Sequence, residues 1–422
     1  MSQEKSISRN NKVRSAVLYL VLLIIGLLLG ASLNSVLFNR TPVSTSQQQV
    51  TVVPIGALLE LTGDLASYGK RDQAALELAV QDINAFAESI GSPFRFRLLV
   101  EDTATTPEQA LSKLQALAAQ GVQAVVGLEA SSEVSSVKQF ADANKIVVIS
   151  IGSTATSLAI TGDYIFRVVP TDAFQGRALA RLVWSDGFKN AAVIYRNDAW
   201  GKGLYDAFSA RFQELGGRVV GVPYDPNAQD VSGEVARLAQ EASNLGAATA
   251  VVLISFEDDG IRVIQAAVQN PTLSQLKWYG TDGVALSTKF TDQIGQQLAS
   301  LGGFPCTIFQ PANNPQQERF IHVFQQKTGE YPHSYAMNAY DAAWLIALSV
   351  MATGQYSGEA IAKALPTIAQ HYFGVTGNTA LDQNGDRVAG DYAVWAVIKT
   401  QNGYDWVQIA QYNSLTDQVS KV

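Results

Sequence analysis

The sequence predicts two α/β lobes, each a doubly wound parallel sheet, with a transmembrane helix ahead of them. Three observations predict this. From Val50 onward, apolar valine-rich runs alternate with amphipathic stretches, the rhythm of parallel strands joined by crossover helices. The rhythm fills two blocks of similar size, and 422 residues suffice for two separate cores. A long uncharged apolar run comes before both blocks.

That run is "SAVLYLVLLIIGLLLGASLNSVLF", residues 15–38, preceded by Lys5, Arg9, Lys12 and Arg14. A bilayer-crossing helix needs roughly 20 apolar residues, and the basic flank, 1–14, belongs on the cytoplasmic side. Gly30, Ala31 and Ser32 are small enough for a signal-peptidase site. The length of the run favours an uncleaved anchor over a signal peptide. Residues 39–50 read as a polar linker. "VTVVPIGALLEL" then has the composition of a strand buried on both faces. Ala75, Leu76, Ala79, Val80, Ile83 and Phe86 draw one stripe along the next helix. "FRFRLLVED" is a strand. A helix follows, with Thr106 as cap, Pro107 in its first turn and Gly121 at its end. "VQAVVG" and "KIVVIS" are strands around a helix that begins after Ala130. The second block repeats the pattern from "NAAVIYR" to "LKWYG", and "GDYAVWAVIKTQNGYDWVQIAQY" reads as paired strands.

Composition excludes several functions. A net charge of −7 and a pI near 5.1 give no basic patch for nucleic acid. The single cysteine, Cys306, rules out an internal disulfide. His322, His333 and His371 form no ligand pattern and read as surface or packing residues, so neither a metal nor a cofactor is expected. No nucleophile elbow or P-loop is present. "DQNGDR", residues 382–387, partly matches a calcium loop but has arginine where that loop needs glycine, so it reads as a turn. With no histidine expected near the strand ends, an enzyme is not predicted.

Ligands of open parallel sheets bind beyond the carboxyl ends of the strands. In the first block those ends carry Glu129, Ala130 and Ser131, then Gly152, Ser153 and Thr154. Hydroxyls and free N–H groups at helix starts suit an anion. In the second block they carry Trp200, Phe256 and Asp282, and Asp282 suits a cation. The two together describe an α-amino acid. Helix capping would account for the hydroxyls equally well, and an ordinary turn for Asp282.

The motifs "LTGDLASYGKRDQAALELAVQDINA", "EDTATTPEQA", "VVGLEASS", "ISIGSTATS", "YRNDAWGKG" and "GTDG", in this order, resemble the periplasmic substrate-binding proteins of the leucine/isoleucine/valine-binding family, which serve ABC transporters. The resemblance covers about residues 51 to 412. It implies a type 1 periplasmic binding fold with three crossovers, near Pro170, Pro305 and Gly390. Lobe 1 would be 51–169 with 306–389, lobe 2 170–305 with 390–412, and 413–422 a tail. It implies that Ser131 holds a ligand carboxylate, that Ser153 and Thr154 hold carboxylate and ammonium, and that Asp282 pairs with the ammonium. Tyr68 would line the side-chain pocket, Trp200 would close over the ligand, and Phe256 and Tyr335 would be wall residues. Glu129 departs from the pattern, since an apolar residue is usual there. It is expected to point to solvent at the helix start; facing the pocket, it would favour a polar or cationic ligand side chain. The implied protein is an extracytoplasmic amino-acid binder partnered by an ABC permease; the apolar run at 15–38 would anchor it in the plasma membrane, a departure for a soluble shuttle. The alternatives are a tethered sensing module and a binder of urea or short amides.

Overall fold

The computed structural model describes residues 50–388 and 390–422. The apolar run at 15–38 lies outside them; among the described residues no helix is long and apolar enough to cross a membrane.

The first sheet is built from β1 (Thr51–Leu59), β2 (Phe94–Asp102), β3 (Ala124–Gly127), β4 (Val147–Ser150) and β5 (Ile165–Arg167). All its pairings are parallel, in the order β2-β1-β3-β4-β5. α1 (Ala66–Ser89), α2 (Pro107–Ala119) and α3 (Ser131–Asn144) connect the strands. Val53, Ile55, Ala57 and Leu59 point to one face and pack with Ala75, Leu76, Ala79 and Ile83 of α1. Leu58 points to the other, among Leu114, Leu117, Val134 and Val137 of α2 and α3. The strand is uniformly apolar because both faces are covered. Thr106 caps α2, its Oγ1 accepting the Gln109 N–H at 3.4 Å. Phe86, at the end of the predicted stripe, is partly exposed.

The second sheet holds β6 (Asn190–Arg196), β7 (Arg218–Tyr224), β8 (Thr249–Ile254) and β9 (Trp278–Tyr279), in the parallel order β7-β6-β8-β9. Its helices are α4 (Asp172–Ser185), α5 (Ala199–Glu214), α6 (Ser232–Leu245), α7 (Glu257–Ala267) and α8 (Thr288–Ser300). β10 (Cys306–Gln310) follows. The chain then builds α9 (Pro315–Thr328), α10 (Ser334–Thr353), α11 (Gly358–His371) and the short pair β11 (Phe373–Gly374) and β12 (Gly377–Asn378). Phe320, Phe324, Ile346 and Leu365 of these helices complete the core of the first lobe. β13 (Asp391–Thr400), β14 (Gly403–Asn413) and β15 (Gln418–Lys421) then pair antiparallel with β10, in the order β10-β13-β14-β15.

Two sequence boundaries move. β10 was expected to reopen the first lobe at residue 306. Instead Cys306 bridges Gly280, and Cys306, Ile308 and Phe309 lie in the core of the second lobe, so the return comes after Gln310. The bridge requires glycine, since a Cβ on Gly280 would sit 2.5 Å from Cys306 Sγ. Residues 418–421, expected within a tail, are the edge strand of the last sheet. The strands crossing between lobes meet closely: a Cβ on Gly390 would lie 2.6 Å from both Phe309 and Pro170.

Candidate functional site

β3 ends where the chain must turn sharply. Gly127 has φ +127°, and a Cβ there would stand 2.0 Å from the Leu58 carbonyl oxygen, so only glycine fits. The next residues lead into α3. Leu128 has φ +61°, and its carbonyl accepts the Ser150 hydroxyl at 2.6 Å. Ser131 Oγ and Ser153 Oγ are 2.8 Å apart, and Ser131 Oγ accepts the Ala155 N–H. Thr154 Oγ1 is buried and has no hydrogen-bond partner among the described residues. Arg167 braces this loop. It is fully buried, donates to the Ser153 and Ala155 carbonyls, and forks onto Asp386 at 2.5 and 2.7 Å. Asp386 comes from 382–387, which is a turn as expected: Asp382 Oδ1 accepts the N–H groups of Asn384 and Asp386.

Six of the predicted residues bound one cavity between the lobes: Tyr68, Glu129, Trp200, Phe256, Asp282 and Tyr335, joined by Leu65, Gly152 and Gly283. Ala130, Ser131, Ser153 and Thr154 are buried beside this wall rather than in it. The cavity measures about 10 Å³, room for about one water. Trp200 and Phe256 stack at 4.8 Å. Asp282 is held from both lobes: Oδ1 accepts Gln175 Nε2 at 2.8 Å and Oδ2 accepts the Tyr335 hydroxyl at 2.6 Å. Burial pushes its carboxyl up to about 6, against the pull of those two donors. Further hydrogen bonds cross the gap. The Tyr68 hydroxyl reaches the carbonyls of Asp282 and Ala285, Ser67 donates to Glu257 at 2.5 Å, and Arg71 donates to the Leu286 carbonyl at 3.1 Å.

The expectation that Glu129 faces solvent is wrong. It is 6% exposed and lines the cavity. Its N–H and that of Ala130 are taken by Glu60 Oε1 at 2.7 and 3.4 Å, so a carboxylate of the protein already occupies part of this helix start. Gly152 guides the Glu129 side chain, since a Cβ there would be 3.0 Å from its Cβ and Cγ. Glu129 Oε1 and both carboxylate oxygens of Asp72 have no hydrogen-bond partner among the described residues. Burial, then the charges of Asp72 and Glu60, hold the Glu129 carboxyl well above its usual range. Burial likewise raises Asp172, with the nearby Asp282 adding to it.

The sequence profile of the family described as "Receptor family ligand binding region" matches residues 71–400. The chain belongs to that family. An uncharacterized protein of Methanocaldococcus jannaschii is 33% identical over 401 residues, 90% of this family member and 94% of the relative. A protein named Leu/Ile/Val-binding protein homolog 1, from Brucella suis, is 25% identical over 375 residues, 84% of this chain and 93% of the relative. The branched-chain amino acid transporter substrate-binding protein of Streptococcus pneumoniae, solved with isoleucine, superposes with a TM-score of 0.70 at 20% identity, over 85% of this chain and all of that one. That likeness shows the fold, a type 1 periplasmic binding fold.

Sequence reasoning missed several residues of this family member's site. His333 is not remote from the cleft: it is buried, its ring 4.7 Å from that of Tyr68. It does pack, as expected of it, and it caps α10. Its Nδ1 accepts the Ala336 N–H, so Nε2 carries the proton and faces the Tyr68 carbonyl. Burial, then Arg71, holds it well below the usual histidine value, hence neutral. Asp72, Glu129 and His333 place one potential ligand atom each within 4.8 Å of one another. With its Nδ1 lone pair engaged and Nε2 protonated, His333 has none to give a metal. Asp72 lies in the charged run "GKRDQ", ahead of the apolar stripe that begins at Ala75.

Proposed function

We propose that the chain is an extracytoplasmic solute-binding protein that captures an α-amino acid between its lobes and presents it to an ABC permease. One observation carries this. An interlobe cavity is bounded by Asp282 from the second lobe and, from the first, by Glu129 and Gly152, which neighbour Ser131, Ser153 and Thr154 in the chain. The ammonium docks on Asp282, already shaped by Tyr335 and Gln175. The carboxylate docks on the hydroxyls and amides at the start of α3, whose dipole favours negative charge. Trp200 and Phe256 cover the ligand from the second lobe. A cavity the size of a water admits no amino acid, so entry requires the lobes to part about the crossovers at Pro170, Gln310 and Gly390, and capture requires them to return. The binding role needs no chemistry beyond this. The apolar run at 15–38 tethers the domain to the membrane. The name of the Brucella protein supports the binding of an amino acid, while the family's description as a receptor region supports the second reading, a tethered sensor.

A thermal-shift screen of the twenty amino acids, urea and short amides tests the reading. A true ligand at 100 times its Kd stabilises the folded chain by about 2.7 kcal/mol. Asp282→Asn should abolish that shift for amino acids. Amino acids that bind the Asn variant unchanged would refute the assignment, and a response to urea or amides alone would replace it.

A further inference from the structure

We propose that the amino acid bound in this cleft carries a cationic side chain, and that Glu129 receives it with Asp72 behind. This rests on the amino-acid reading above and names the class of ligand.

A zwitterion brings one negative and one positive group, which the start of α3 and Asp282 already satisfy. Glu129 remains. It stands in the cavity wall, more than nine-tenths buried, with Oε1 lacking any hydrogen-bond donor among the described residues. A buried carboxylate without a cation costs several kcal/mol, so it must be protonated or paired. The neighbouring cations are engaged elsewhere. Arg71 on α1 donates to the Ser67 and Leu286 carbonyls and lies 3.6 Å from Glu330. Arg167 is forked onto Asp386. Arg196 pairs with Asp198 and Asp259. His333, at the start of α10, is neutral. What surrounds Glu129 is instead acidic: Glu60 after β1, Asp72 on α1 and, across the gap, Asp282.

A partner for the ionised Glu129 must therefore come from outside. His333 has no lone pair to complete a metal site, so an organic cation, an ammonium or guanidinium, fits better than an ion. A leucine-like side chain would leave Glu129 beside hydrocarbon. Burial keeps the Glu129 carboxyl protonated in the unliganded protein, and a bound cation expels that proton.

Isothermal titration of the full chain with L-lysine and L-arginine, each against its uncharged counterpart, L-norleucine and L-citrulline, decides the matter. At least one cationic member should bind about 100-fold tighter than its counterpart, the usual penalty for leaving a buried charge unpaired. Its affinity should rise between pH 6 and pH 8 by clearly more than that of norleucine, whose rise reports Asp282 alone. Glu129→Gln, which keeps shape and volume, should reduce the ratio to about tenfold or less. Norleucine or leucine binding as tightly as lysine to the unaltered chain would overturn the inference. So would a ratio that survives Glu129→Gln. If Asp282→Asn abolishes binding while Glu129→Gln changes nothing, the amino-acid reading stands and this one falls. If no amino acid binds, both fall.

Discussion

Raising the pH should weaken the unliganded fold, and Asp72 shows why. Its carboxyl is fully buried and both oxygens lack hydrogen-bond partners among the described residues. Burial, reinforced by the charge of Glu60, pushes it up to about 8 from 3.8. The sign follows directly. Between about pH 4 and pH 8 the unfolded chain has lost this proton and the native chain keeps it, so stability is full at the acid end and declines as pH rises. One retained proton gives a slope of about 1.4 kcal/mol per pH unit, or about 4 kcal/mol from pH 5 to pH 8. Glu129, Glu133 and Asp172 are shifted the same way and steepen the fall. Asp72→Asn cannot ionise and removes a like charge from beside Glu129. Urea unfolding of both proteins at pH 5, 6, 7 and 8 measures the difference. The unaltered chain should lose about 4 kcal/mol relative to the variant across that range. Parallel curves for the two proteins would refute the reasoning.

Three further outcomes follow from the geometry. Asp386→Ala leaves Arg167 buried and unpaired, which should cost about 3–5 kcal/mol in denaturant unfolding and loosen amide-exchange protection at 153–155; a loss under 1 kcal/mol would contradict it. Tyr68→Phe removes hydrogen bonds that span the lobes and should cost about 1 kcal/mol, raising the Kd of any confirmed ligand about fivefold; an unchanged Kd means the hydroxyl does not favour the joined lobes. Gly390→Ala places a methyl 2.6 Å from Phe309 and Pro170 and should destabilise by about 1–3 kcal/mol, visible as a lower Tm.

The parts of the fold legible in the sequence are those governed by local pattern. Both sheets, the Thr106 cap and the β13–β14 hairpin depend on periodicity, on one cap and on a turn, and all can be read over a dozen residues. The join between β9 and β10 was not legible, because it rests on Gly280 admitting the Cys306 sulfur across 25 intervening positions. The site divides the same way. Tyr68, Trp200, Phe256, Asp282 and Tyr335 could be placed at the cavity from motif position. The direction of Glu129 is set by Gly152 and Glu60, which touch it only in three dimensions. His333 arrives from more than 200 residues beyond Asp72, and no spacing rule connects them.

The lone thiol has a use of its own. Cys306 is walled in at the seam where β10 leaves β9, and burial raises its thiol well above the ordinary value. A maleimide in solution therefore finds nothing to alkylate until that seam parts. Labelling rates recorded with and without a candidate solute would serve as a stopwatch on the molecule's breathing, with no reporter group added to the chain.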